Sequence, residues 1–232
     1  MVNSNLELLA SVARSLRPLL EELVFVGGCT TVLMITDSGA AGVRPTFDVD
    51  AIVEISSYAE YVTFSERLRN LGFVEDQTEG APICRWVQRE MRLDIMPTDE
   101  RILGFSNRWY KFAMQRAQNV LLEHGLMIRT VTAPLFLATK LEAFKGRGNS
   151  DYFASHDLED IIAVIDGRPS LMDMDKVKQT ARDLKAYIAL EIGNLVRESD
   201  FMDALPGYLL PDSANQARLG NLLATLRNLS KL

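Results

Sequence analysis

The stretch Arg44-Pro45-Thr46-Phe47-Asp48-Val49-Asp50-Ala51-Ile52-Val53 decides how the rest of the chain is read. β-Branched and aromatic residues alternate with polar ones, so a strand is expected over Thr46–Ile55. Successive side chains on a strand point to opposite faces. Asp48 and Asp50 therefore share a side, joined by Arg44 and Thr46 if the extended backbone reaches that far. Val49, Ile52 and Val53 are apolar and place the strand in the core. Two neighbouring carboxylates repel one another unless something positive stands between them. A hard divalent cation meets that need, and magnesium prefers carboxylate oxygen. A pair of solvent-facing acids on an edge strand is the plainer alternative.

Upstream, Leu23-Val24-Phe25-Val26 reads as a short strand ending at Gly27-Gly28, and Cys29 to Ile35 as the start of a buried helix. Glycine lets a ligand approach the backbone closely, and the first N–H groups of a helix are unpaired and partly positive. Such a turn suits phosphate, although a tight turn alone would also explain the two glycines. The segment Asn5 to Glu22 carries Leu6, Leu9, Val12, Leu16, Leu19 and Leu20 at helical spacing. A loop rich in glycine and alanine covers Thr36 to Arg44.

Downstream, Tyr58 to Leu71 reads as a helix stopped by Gly72, and Ile83 to Met96 as two strands, the second being Arg92 to Met96 closed by Pro97. In Arg92-Leu93-Asp94-Ile95-Met96 a third carboxylate lies between apolar neighbours, with an ion pair to Arg92 as the alternative reading. Three strand aspartates and a glycine turn describe a two-metal phosphoryl-transfer site, in which ions about 4 Å apart clamp the attacking and leaving oxygens.

The second half has a different character. After a short strand at Leu126 to Val131, Ala133-Pro134 introduces a helix over Leu135 to Gly146, and His156 to Ile165 forms another that ends at Gly167. Asp175 to Ser199 sets Val177, Leu184, Ile188, Ile192 and Leu195 along one stripe, and Gln216 to Leu229 closes the chain as a leucine-rich helix. The expected fold is α/β (α+β): a mixed-sheet core flanked by helices over residues 1–130, then an all-helical domain over 131–232. Lys140 sits in an apolar helix, with Phe144 and Arg147 on its face. Its ammonium should reach an anion or snorkel to water. Asp157 and Asp160, one turn apart, share a face and would orient Lys140 or Arg147, or else serve the positive end of their helix. His156 is placed to cap that helix. Trp109-Tyr110 beside Arg108 and Lys111 would stack a base, or simply pack at a junction.

Composition narrows the classes. The 232 residues are 47% hydrophobic and 24% charged, which suits a globular chain with a sizeable core. Two cysteines exclude a disulfide scaffold, and two histidines leave little for a zinc site. The longest apolar run, Leu23 to Ile35, is shorter than the roughly 20 residues that cross a bilayer, and no basic-then-apolar leader opens the chain. A cytoplasmic protein without a membrane partner is expected. Net charge is −6, against bulk attraction to nucleic acid. Locally, Arg85, Arg89, Arg92, Arg101, Arg108, Lys111 and Arg116 outnumber Glu90, Asp94, Asp99 and Glu100. A basic groove and a solvated mixed surface are both consistent with that run.

Gly27-Gly28, Asp48-x-Asp50 and Asp94, in this order, resemble the DNA polymerase β-like nucleotidyltransferase superfamily. Arg44-x-Thr46-x-Asp48-x-Asp50 is similar to its abortive-infection toxin branch of the AbiEii type. So are the helical Lys140 and the following His156-Asp157-Leu158-Glu159-Asp160, and the likeness spans roughly residues 20 to 165. The resemblance implies transfer of an NMP from an NTP to an acceptor hydroxyl, with two Mg²⁺ ions held by Asp48, Asp50 and Asp94, the last also acting as general base. It implies that Gly27, Gly28, Arg44, Thr46, Lys140, Asp157 and Asp160 serve the nucleotide. The branch commonly has Thr or Ser after the glycines. Here Cys29 stands in that place, and Thr30 or Thr31 would substitute. RNA, especially a tRNA 3′ end, is the implied acceptor and an antitoxin protein the implied partner. A protein or small-molecule hydroxyl is the alternative acceptor. A non-catalytic reading also stands, in which the fold is kept as a nucleotide-binding or protein-interaction module, and a weaker one is a metal-dependent phosphoesterase.

Overall fold

A computed structural model describes residues 4–148, 150–171 and 182–232, and of His124 the backbone alone. The chain divides into two units, one comprising the chain through Thr30 with Pro45–Thr132, the other Thr31–Arg44 with Ala133–Leu232. The sequence-based division between 130 and 131 lies beside the second of these breaks. It missed that residues 31–44, early in the chain, belong with the late helices. Thr36 and Asp37 both donate their amides to the Gly167 carbonyl, at 2.9 Å each, and Arg168 donates to the Met34 carbonyl at 2.9 Å.

The first unit is built on a mixed sheet. β1 (Leu23–Val26) and β2 (Asp48–Val53) pair antiparallel at its centre, with β5 (Met91–Pro97) parallel to β2 and β7 (Met127–Thr130) parallel to β1. β3 (Val74–Glu75), β4 (Arg85–Gln88) and β6 (Gln118–Leu121) complete the order β3-β4-β5-β2-β1-β7-β6. All of β1 is buried, as a central strand of four apolar residues should be. α1 (Ser4–Ser15) buries Leu9, Val12 and Ala13. It is shorter than the expected Asn5 to Glu22, because Pro18 lacks the N–H that would continue it, and a 3₁₀ turn follows at Arg17–Leu19. α3 (Tyr58–Asn70) is capped by the Ser57 hydroxyl, which accepts from the Glu60 amide. Two short helices, α4 (Glu100–Leu103) and α5 (Tyr110–Gln115), lie outside the sequence reading, as do β3 and β6.

β2 begins at Asp48 rather than Thr46. The Thr46 amide donates to Asn5 Oδ1 at 3.1 Å and its hydroxyl to Asp48 Oδ1 at 3.0 Å. Both groups are thereby committed to side-chain partners, and the ladder starts two residues later than expected.

The second unit is helical. After α2 (Thr31–Met34) it contains α6 (Ala133–Arg147), α7 (His156–Gly167), α8 (Arg182–Arg197), α9 (Ser199–Ala204), α10 (Ser213–Gln216) and α11 (Leu219–Leu229). Leu184, Ile188, Ile192 and Leu195 form the expected buried stripe of α8. The rest of that sequence-based helix, residues 175–181 with Val177, lies outside the described residues. Ser155, not His156, caps α7, accepting from the Leu158 amide, while His156 is exposed beside Glu159. Among the described residues no helix is long and apolar enough to cross a membrane.

Candidate active site

Register brings the three aspartates of the first unit together. In the parallel β2–β5 ladder Asp50 stands opposite Asp94, and Asp48 opposite Arg92. Paired residues point to the same side of a sheet, so all three carboxylates occupy one face. Asp48 and Asp50 are half-buried and Asp94 is buried.

Gly27 completes the turn after β1. Its φ is +73°, and a Cβ built there would lie 1.9 Å from Asp50 Oδ2. Both facts require glycine: the backbone is left-handed, and the Asp50 carboxylate fills the space a side chain would take. Thr30 turns back on this loop, donating its amide (3.1 Å) and its hydroxyl (2.8 Å) to the Gly27 carbonyl. Thr30, Thr31 and Gly28 are buried, and the Thr31 hydroxyl has no hydrogen-bond partner among the described residues. Cys29 is also buried, its thiol donating to the Asn5 carbonyl at 3.2 Å. Burial first, then the Asp50 and Asp48 charges, push that thiol far above its ordinary value. That disfavours the thiolate, the nucleophilic form. The same causes, with Asp94 first among the charges, push the Cys84 thiol up to about 12.

Arg85 is the residue that sequence reasoning missed. It sits on β4 directly opposite Asp94 and grips it with two bonds, Nε to Oδ1 and Nη2 to Oδ2, both 2.8 Å. The same Nη2 reaches Asp48 Oδ2 at 2.8 Å. Hydrogen bonding to Asp94 raises the guanidinium's affinity for its proton further, against the opposing effect of burial. No turn signature in the sequence marks this pairing, since Arg-Glu is not a glycine- or asparagine-type hairpin pair. A two-residue turn at Arg89-Glu90 between alternating strands places Arg85 across from Asp94.

Three carboxylates on one face are the donor chemistry that Mg²⁺ takes. In the described arrangement both Asp94 oxygens and one of Asp48 already face Arg85. Among the described residues no three acidic, thiol or imidazole groups stand where they could hold one ion together. The donor types fit a metal, and the arginine holds their present positions.

The second unit carries its own charge cluster. Lys140 is buried and neither snorkels nor lacks an anion: its ammonium contacts Asp157 Oδ1 at 3.0 Å and Asp160 Oδ2 at 2.7 Å. Arg147 adds bonds to Asp157 at 3.1 and 3.2 Å, and Arg44 reaches Asp160 at 3.2 Å. Burial raises the Asp157 carboxyl, but the Lys140 and Arg147 charges outweigh it and hold the group below its usual range. Arg44 therefore belongs to this helical cluster, while Thr46 stays with Asp48. Trp109 is buried with the Arg108 guanidinium 5.1 Å from its ring, and the Tyr110 hydroxyl donates to Met96 Sδ. Trp109 is thus packed inside the first unit rather than open to a base.

No family model matches the sequence, and no curated protein matches it. Solved structures do. An antigenic nucleotidyltransferase-like protein from Paracoccidioides brasiliensis superposes with a TM-score of 0.53 at 18% identity, covering 87% of this chain and 92% of the other. A protein from H. pylori assigned to the nucleotidyltransferases covers 98% of this chain and 93% of its own at 11% identity, with a TM-score of 0.47 that is too low to weigh. The mixed seven-stranded sheet with its following helices is thus a nucleotidyltransferase-like fold.

Proposed function

We propose that this protein is a Mg²⁺-dependent nucleotidyltransferase that moves an NMP from an NTP to an acceptor hydroxyl. The observation that carries the reading is the register of β2 on β5, which sets Asp48, Asp50 and Asp94 on one face beside a glycine whose α-carbon meets Asp50. Asp48, Asp50 and Asp94 would hold the metal, which when bound supplies positive charge to the transferring phosphoryl group.

The chain's own residues do the rest. Gly27 lets the backbone come close, so a phosphate can approach without meeting a side chain. The acceptor oxygen bonds to the α-phosphorus as the bond to pyrophosphate breaks, and the acceptor proton passes to a carboxylate oxygen of Asp94. Lys140, held on Asp157 and Asp160, with Arg44 on Asp160, secures the α6–α7 pair within the helical unit. Thr46 orients Asp48 through its hydroxyl. Thr30 and Thr31 would shape the loop from within. Most of the acceleration comes from charge stabilisation and alignment.

The likeness to the AbiEii branch extends the proposal to a toxin whose acceptor is RNA, a tRNA 3′ end first, held in check by an antitoxin protein. Incubation with α-labelled NTPs, Mg²⁺ and total cellular RNA tests it. Label should enter RNA, and Asp48→Ala should lower transfer at least 10³-fold while unfolding at nearly the wild-type urea midpoint. Transfer by Asp48→Ala at the wild-type rate would remove the assignment, and label in protein bands alone would move the acceptor. The Arg85 grip favours a second reading, a nucleotidyltransferase-like binding module. NTP that raises the melting temperature without labelling any acceptor would support it.

A further inference from the structure

We infer that Arg85 is a built-in counter-ion that competes with a divalent cation for Asp48 and Asp94, so that metal entry and release of the guanidinium are one event. This rests on the proposed metal site and adds to it the residue that sets its affinity.

Carboxylates converging on a half-buried face repel unless a positive charge lies among them. Arg85 supplies that charge, joining carboxylates of β2 and β5. Its side chain is 16% exposed, against 10% for Asp94 and 34% for Asp48, so the contact is little diluted by solvent. A planar guanidinium matches a carboxylate with two parallel bonds, which an ammonium cannot do. The cross-strand register holds Arg85 opposite Asp94, so the contact is preorganised. Each Asp94 oxygen accepts from it. Each oxygen keeps a further lone pair for an ion, so the competition is one of charge: a divalent cation drawn to these carboxylates meets the guanidinium's positive charge, and its approach drives the guanidinium away. Arg85 is therefore a positioning residue that keeps the acidic face stable without metal and makes metal binding weaker than the carboxylates alone would give.

A purely structural staple makes the opposite forecast, since losing it would disorder Asp94 and weaken metal binding. Mn²⁺ affinity, followed by the loss of the free-ion EPR signal, separates the two. Arg85→Gln should bind Mn²⁺ at least tenfold more tightly than wild type, and Arg85→Lys should fall between them. Without metal, Arg85→Gln should melt lower, and Mn²⁺ should raise its melting temperature more than that of wild type. The unmutated protein offers a second readout if Arg85→Gln does not fold: saturating Mg²⁺ should shift the Arg85 Nε–H resonance, assigned by its absence from Arg85→Lys. Equal or weaker Mn²⁺ binding by folded Arg85→Gln, or an Nε–H resonance unmoved by Mg²⁺ that binds, overturns the competition and leaves the metal site standing. No Mn²⁺ binding by wild type or variant at millimolar concentration overturns both.

Discussion

Gly27 shows how much one position can be asked to do. Its left-handed φ and the Asp50 carboxylate against its α-carbon are independent demands. Gly27→Ala must therefore shift Asp50 or the turn, and a non-glycine residue at positive φ costs about 1–3 kcal/mol by itself. The expected result is a urea midpoint lowered by at least that strain, together with impaired NTP transfer. A variant with the wild-type midpoint would show that the turn relaxes freely. The aspartates were legible in the sequence because period-two spacing and apolar neighbours fix their side of the strand. Arg85 was not singled out, since its meaning lies in a cross-strand pairing that a basic run does not disclose. Arg44 misled for a related reason. Its place in the motif points at Asp48, while its guanidinium goes to Asp160.

Elements have their own weak points. The β4–β5 hairpin turns through Arg89-Glu90 between paired Gln88 and Met91, and Arg89 has φ +55°. Positive φ at the first central position of a two-residue hairpin favours glycine. Arg89→Gly should thus stabilise the protein by up to about 1 kcal/mol, read as a higher urea midpoint, because the strain removed exceeds the added freedom of the unfolded chain. A lower midpoint would mean that the Arg89 side chain contributes more than its backbone costs. In the helical unit the α6–α7 pair depends on Lys140 and Asp157. Burial raises the Asp157 carboxyl, but its cations hold it below the ordinary carboxylate value of about 4. The folded state then binds fewer protons there than the unfolded chain. This contribution is complete above about pH 4 and lost as pH falls through the lower folded value. Stability should therefore decline below pH 4. Lys140→Met should cost about 3–5 kcal/mol at pH 7, because buried carboxylates lose a partner, and should blunt the acid decline. A full-strength decline in that variant would assign it to other groups.

At the scale of the whole molecule, the sequence reading placed an α/β half before a helical half because hydrophobic periodicity changes near residue 130. Periodicity is local and does not report which unit a short early segment joins. Residues 31–44 carry too little pattern to reveal their partners, and these are specific: the Gly167 carbonyl takes the Thr36 and Asp37 amides, and Arg218 takes Asp37 at 2.7 Å. An added Cβ at Gly167 would fall 2.7 Å from Ile35 Cδ1, so that side chain would have to shift. A fragment of residues 131–232 lacks this segment. It leaves the Gly167 carbonyl and the Arg168 guanidinium without their partners from residues 34–37. That fragment should unfold without a cooperative urea transition. Adding residues 31–44 through a flexible glycine–serine linker should restore a single steep one, measured by far-UV circular dichroism. Equal cooperativity and equal midpoints for the two fragments would show that the early segment is carried by the helical unit without holding it together.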